Sequence, residues 1–276
     1  MLSTRIATAL AVVPLAVLGM LFLPTAAITL VFALLMLLGA WEWGGLMRLT
    51  DTGRIVLTLG VALLIFLFAL VRTQLWLVAA DNLLVGAACL WWLVAIYWIA
   101  RFPRGWAETM GRTAVGVAVG LIVLVAPVAA VTYLHQSDQG PLLLLTFFFL
   151  VWAADTGAYF AGRMLGRHKL APAVSPGKTR EGAVGGFVAA MLFAGAGAWL
   201  LGYSGDRLIA FMFLGGWVAI ISVVGDLSIS MFKRHAGIKD SGTLFPGHGG
   251  VLDRLDSVLA AAPWFVAGLH WLPSAV

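Results

Sequence analysis

Four carboxylates and four cations interleave between Asp226 and Asp256: Asp226, Asp240, Asp253 and Asp256 with Lys233, Arg234, Lys239 and Arg254. Carboxylate oxygens are hard ligands suited to Mg2+, which usually takes one or two of them together with substrate phosphates. Lys and Arg bind phosphates directly, Arg with two parallel hydrogen bonds. Acid and base mixed in this way suit a metal–triphosphate complex. Asp253 and Asp256 are three apart, so on a helix they share a face. Their plainer reading is a cap, with Asp253 at the N-cap and Asp256 in the first turn. Asp226 follows the apolar run from Phe211 to Gly225, broken only by Ser222. An ionisable group at that depth is costly and marks a functional site unless Lys233 or Arg234 merely pairs with it. Asp155 ends a similar run from Pro141, with no second acid near it in sequence. In Pro246–Gly250 the glycines Gly249 and Gly250 let backbone N–H groups approach an anion. His248, just before them, is a phosphate ligand or proton carrier, or else a loop histidine.

A second polar segment reads Ser175-Pro-Gly-Lys-Thr-Arg-Glu-Gly182. Its Gly-Lys-Thr imitates the end of a P-loop, but Pro172 stands where that motif needs glycine, and no strand is predicted before it. What remains is a basic, hydroxyl-bearing entry to a helix, either an anion site or an ordinary basic loop with a Ser cap. Gly182, Gly185, Gly186, Ala189 and Ala190 predict close helix packing. Trp41 and Trp43 have the look of interfacial anchors, with Glu42 as partner for a nearby Arg. Arg101, Arg104 and Arg112 serve as a topology signal or attract anionic headgroups.

The elements that carry these residues must sit in lipid. The chain of 276 residues is 62% apolar and 11% charged, with a mean hydropathy of +1.02. Soluble domains carry about 25% charged residues. The charge-free run from Ile6 to Trp41 exceeds one span of about 20 residues, with Pro24 at its turn; two spans fit it better than a cleaved leader. Nine spans are predicted, at about 6–23, 26–45, 55–71, 82–100, 113–133, 141–160, 183–203, 208–229 and 256–272, within the few residues that boundaries allow. They form an all-α polytopic membrane protein, since lipid leaves no bare backbone satisfied. With the N-terminus in the cytoplasm and the C-terminus outside, 15 of the 17 Lys and Arg fall on the cytoplasmic side, all but Arg72 and Arg207. That asymmetry is the positive-inside rule. It also explains the net charge of +5 without nucleic acid as a partner. Residues 1–140 hold helices one to five. Residues 141–276 hold the rest, with cytoplasmic loops at 162–182 and 230–256. Cys89, alone in an apolar run, implies neither a disulfide nor a cysteine metal site.

The segment Ser230–Asp256 resembles the signature of the phosphatidate cytidylyltransferases. Its pattern is Ser230-x-apolar-Lys233-Arg234, four residues, Lys239-Asp240-x-Gly242, then Pro246-x-His248-Gly249-Gly250-apolar-x-Asp253-Arg254-apolar-Asp256. Ser175–Gly182 is similar to a second family segment, retaining Lys178, Thr179 and Glu181, while Gly177 and Arg180 replace commoner residues. Trp41-Glu42-Trp43 and Asp155–Tyr159 look similar to family segments as well. The strong resemblance covers the C-terminal half. It implies nine spans, a homodimer, a site open to the cytoplasm, and a divalent metal on acids at Asp226, Asp253 and Asp256.

The expected reaction is attack by a phosphatidate oxygen on the α-phosphorus of CTP, releasing pyrophosphate. Mg2+ on Asp226 and Asp256, helped by Asp253, would align the two polyanions. Four acids leave room for a second cation such as K+. Lys178, Arg180, Lys233, Arg234, Lys239 and Arg254 are the expected phosphate ligands, in a multi-pass protein of the inner membrane. The nearest rival is a CTP-dependent kinase of polyprenol or phytol type. A phosphotransferase consuming CDP-diacylglycerol lacks its Asp-Gly-x-x-Ala-Arg motif here. A transporter would place its acids near the midplane in repeated halves, and no repeat is evident.

Overall fold

A computed structural model describes residues 13–72, 77–104, 113–244 and 249–273. Among them are nine α-helices and one two-stranded hairpin: α1 (Val13–Phe22), then α2 (Thr25–Leu46), α3 (Asp51–Arg72), α4 (Leu77–Arg101), α5 (Thr113–Gln136), α6 (Gly140–Leu165), β1 (Lys169–Ala171), β2 (Ser175–Thr179), α7 (Arg180–Leu200), α8 (Gly205–Ala236) and α9 (Leu252–Leu269). Seven of them, α2 to α8, are long and apolar enough to cross a membrane, as a polytopic membrane protein requires. The charged first turns of α9, with Asp253, Arg254 and Asp256, break its apolar run.

Helix α5 is buried on every side through Val123–Thr132, which makes it the central post, since a helix apolar all round has no solvent face. In contrast, α3 keeps most of its apolar surface outward, with Leu59 and Phe66 exposed, as lipid-facing helices do. Polar side chains tie the N-terminal helices together inside: Thr29 Oγ1 and Thr132 Oγ1 lie 2.9 Å apart, and Thr25 Oγ1 meets His135 Nδ1 at 2.8 Å. Cys89 is a buried free thiol, as its apolar surroundings predict.

Two features depart from expectation. Helix α8 runs to Ala236, not to about 229. At 1.5 Å per residue it is about 48 Å long, well beyond a hydrocarbon core of roughly 30 Å. Hydropathy ends a span at its first charges, but Met231 and Phe232 are buried here and hold the helix together past that point. Lys233, Arg234 and His235 occupy its last turn, where the helix dipole favours cations. Gly237, with φ 75°, ends it in the left-handed conformation. The loop expected from residue 230 therefore starts only at Gly237. The second departure is β1–β2, an antiparallel hairpin pairing Lys169 with Thr179 and Ala171 with Ser175. It adds strand to a fold expected to be helical throughout, and it places a strand where none was predicted.

Candidate active site

The site is assembled where α6, α7, α8 and α9 meet. The approach of α6 to α7 depends on small residues: a Cβ on Gly182 would fall 2.8 Å from the Ala158 carbonyl, and one on Gly186 would fall 2.7 Å from that of Ala154. Gly157 faces the Gly185 carbonyl in the same way. The predicted small-residue stripe is thus a backbone-to-backbone contact. Thr179 caps α7, its Oγ1 accepting from Gly182 N–H at 3.1 Å; the cap is Thr179 rather than the expected Ser. Glu181 accepts from the N–H groups of Arg167 (3.1 Å) and His168 (3.2 Å) and pairs with His168 Nδ1 at 2.6 Å. These contacts hold the residues just before β1 against the first turn of α7, beside the end of β2 that carries Lys178.

Lys178 Nζ lies 2.6 Å from Asp226 Oδ2. The ion partner of Asp226 is thus Lys178 from the other segment, and not Lys233 or Arg234. Ser230 Oγ, one turn along α8, donates to Asp226 Oδ1 at 3.3 Å. Asp226 stands about 32 Å along α8 from Gly205, one hydrocarbon thickness from its start. A polar cavity of about 330 Å³ is lined by Asp155, Asp226, Lys233, Asp240, Asp253, Arg254, Asp256 and Ser257. Asp155 and Asp226 also line an adjoining cavity of about 390 Å³ with Tyr159, Arg163, Lys178 and Thr179. Asp155, Asp226 and Asp256 lie near enough to repel one another. Gly225 permits this, because a Cβ there would run into the Asp256 carbonyl. Sequence spacing could not bring Asp155 to the other acids; the α6–α7–α8 packing does.

Asp253 lines the same cavity but is differently engaged. Its Oδ1 takes Lys233 Nζ at 2.6 Å, with both side chains largely buried. Its Oδ2 accepts from Ser241 N–H (2.8 Å), Ser241 Oγ (3.0 Å) and Gly250 N–H (2.9 Å). Asp253 sits in the turn before the predicted last span. Burial alone would push its carboxyl up; the Lys233 ammonium and the N–H groups of Gly250 and Ser241 outweigh that and hold it below the usual carboxylate range. It is not the N-cap, which is Val251. The Val251 and Leu252 N–H groups instead donate to Glu42 of α2, at 2.8 and 2.9 Å. Glu42 was expected to pair with an arginine, and Trp43 to anchor at the membrane surface. Trp43 is in fact buried, its Nε1–H donating to Gly116 O at 2.9 Å and its ring 4.7 Å from that of Phe232. Trp41 stays outside, with the Arg54 guanidinium over its ring.

The remaining predicted residues divide. Arg254 and Asp240 line the polar cavity. Gly249 adopts φ 83° beside Asp253 and Gly250 is buried against Glu42, so the anions their backbone approaches are protein carboxylates. Arg234 turns to the hairpin, its Nε donating to Val174 O at 3.4 Å. Ser175, Arg180 and Lys239 do not line either cavity, and His248 lies outside the described residues. The cavity residue that spacing undervalued is Asp155; its signals were a carboxylate ending an apolar run and the resemblance of Asp155–Tyr159 to a family segment.

Among the described residues no group of three acid, His or Cys side chains is closed around a metal position. The donor chemistry nevertheless fits a hard cation. Asp155, Asp226 and Asp256 offer only oxygen ligands to one cavity, and Asp226 already holds an ammonium group at 2.6 Å. Asp253, expected as a third ligand, has both oxygens committed to Lys233, Ser241 and Gly250.

A family model described as the Cytidylyltransferase family matches residues 3–272. A protein of Haemophilus influenzae named phosphatidate cytidylyltransferase is 39% identical over 292 aligned residues, covering 96% of this chain and 97% of the relative. One of the same name from Pseudomonas aeruginosa is 39% identical over 273, covering 98% and 97%. A Staphylococcus aureus protein, again of that name, is 43% identical over 134 residues, 48% of this chain and 50% of its own.

Proposed function

The chain belongs to the cytidylyltransferase family, and on that footing we propose that it condenses CTP with phosphatidate to give CDP-diacylglycerol and pyrophosphate. The observation that carries this reading is the meeting of Asp155, Asp226, Asp256 and Lys178 about one membrane thickness along α8. A lipid phosphate can reach that level with its tails still in the bilayer, and a nucleotide can reach it from water.

A phosphatidate oxygen attacks the α-phosphorus of CTP; the bond to the β-phosphate breaks and pyrophosphate leaves. The nucleophile is already ionised at neutral pH, so the protein's task is to bring two polyanions together in line. Lys178 and Arg254 border the acids and can take phosphate oxygens. Asp226 and Asp256, with Asp155 beside them, would hold Mg2+, which when bound neutralises triphosphate charge and orients the displacement. A second cation such as K+ belongs to the same proposal, as do nine spans, a cytoplasmic N-terminus, a site facing the cytoplasm of an inner membrane, and a homodimer.

The test is an assay in detergent with phosphatidate, CTP and Mg2+, with and without chelator. Release of pyrophosphate with formation of CDP-diacylglycerol, abolished by chelator, is the expected result. Release of CDP would make the protein a CTP-dependent lipid kinase instead.

A further inference from the structure

Glu42 has no part in the chemistry above, yet it is buried and closely held. Val251 N–H, Leu252 N–H and Ser241 Oγ all donate to its carboxylate, the last at 2.7 Å. We propose that Glu42 is a positioning residue for the cytidylyl transfer, a cap supplied from another helix that fixes where α9 begins and so where its two acids stand. This rests on the functional reading given above.

Helix α9 cannot cap itself. Its first N–H groups have no partner within the helix, its N-cap residue Val251 has no polar side chain, and Gly249 and Gly250 precede it. Glu42 supplies both the acceptor oxygens and the negative charge that a helix N-terminus favours. The fit leaves no slack. A Cβ on either Gly242 or Gly250 would fall on the Glu42 carboxylate, and one on Gly39, a turn earlier in α2, would meet Leu252 Cδ2 at 3.1 Å. The cap also reaches the active-site acids. Ser241 Oγ lies 2.7 Å from Glu42 Oε2 and 3.0 Å from Asp253 Oδ2, bridging the two carboxylates. Asp256 follows Leu252 by about 6 Å of helix rise and shares a face with Asp253. Fixing the Val251 and Leu252 N–H groups therefore fixes both the height and the rotation of Asp256 relative to Asp226. In Glu42→Gln, an amide N–H would face a backbone N–H, so one of the two contacts must open while size is conserved.

A cap that serves stability alone changes the melting temperature and leaves each folded molecule equally active. A positioning cap also changes kcat and ion affinity. The experiment compares wild type, Glu42→Gln and Ser241→Ala, purified whole in detergent. It reads melting temperature, kcat, KM for phosphatidate, and Mn2+ affinity by electron paramagnetic resonance. In Glu42→Gln, kcat should fall about 10- to 100-fold and Mn2+ affinity several-fold, the range for groups that orient metal ligands, with KM for phosphatidate little changed. Wild-type kcat and Mn2+ affinity in a folded Glu42→Gln protein would overturn the proposal. Should that variant not fold, Ser241→Ala decides: kcat and Mn2+ affinity should both fall, and wild-type values for both would overturn it equally. A wild-type protein that forms no CDP-diacylglycerol sinks the functional reading instead, and the Mn2+ arm alone then judges Glu42.

Discussion

Two regions border the polar cavity, and they treat their carboxylates in opposite ways. On one side, Asp253 and the neighbouring Glu42 are saturated: an ammonium, the Ser241 hydroxyl between them and backbone N–H groups occupy their oxygens. On the other, Asp226, Asp256 and Asp155 crowd together, with Lys178 as the ion-pair partner of Asp226. Saturated acids are structural anchors, because the fold itself supplies donors to each of their oxygens. Acids that face one another across open space cost stability, and such clusters mark the places where a fold gives up stability for function. The contrast separates Asp253 from Asp226 and Asp256, which the sequence placed together as candidate metal ligands.

The comparison can be broken at each side. Asp226→Asn should lower kcat by at least about 100-fold, the scale of a lost metal ligand or charge clamp, without lowering the melting temperature, because it removes one of the mutually repelling acids. More than a tenth of wild-type activity would count against the role given to this residue. Asp253→Asn should behave the other way. Breaking a buried pair costs about 3–5 kcal/mol, so the melting temperature should drop by several degrees and activity should fall chiefly with the folded fraction. Thermal unfolding followed by tryptophan fluorescence checks both. The folded Asp253 carboxyl is held below its unfolded value near 3.9. Its stabilisation is therefore fully present above that pH and is lost as pH falls through the folded value. The gap between wild type and Asp253→Asn should close only in that acid range. Lys178→Met should raise KM for CTP or phosphatidate by roughly 10-fold, the worth of one charge-assisted contact, with Lys178→Arg recovering part of it. Trp43→Phe removes one buried hydrogen bond, so it should cost about 1 kcal/mol and leave kcat unchanged in steady-state assays.

Much of this was legible in the chain because lipid imposes a simple rule. Apolar runs near 20 residues long mark helices, and the described helices fall where those runs do. The rule fails at the ends. Ser230–His235 is helical because Met231 and Phe232 are buried there, and a hydropathy window cannot see that past the charges. The hairpin was missed because Leu170–Thr179 lacks a strand's alternation and is held by pairing and by the Glu181 contacts. Within the site, Asp226 and Asp256 were visible from their depth and motif. The grouping of Asp155 with them was not, since 71 residues separate it from Asp226 and only the glycine-mediated contact of α6 with α7 closes that distance. The role of Glu42 was hidden for the same reason: its donors lie some two hundred residues away, while its neighbours in sequence suggested a membrane anchor.

The most direct test of the division between the two acid sets is Mn2+ binding in the presence of CTP, followed by electron paramagnetic resonance in wild type, Asp226→Asn, Asp256→Asn and Asp253→Asn. The expected result is tight Mn2+ in wild type, lost in Asp226→Asn and Asp256→Asn and kept in the folded fraction of Asp253→Asn. Mn2+ retained by the first two variants and lost from the third would contradict the account.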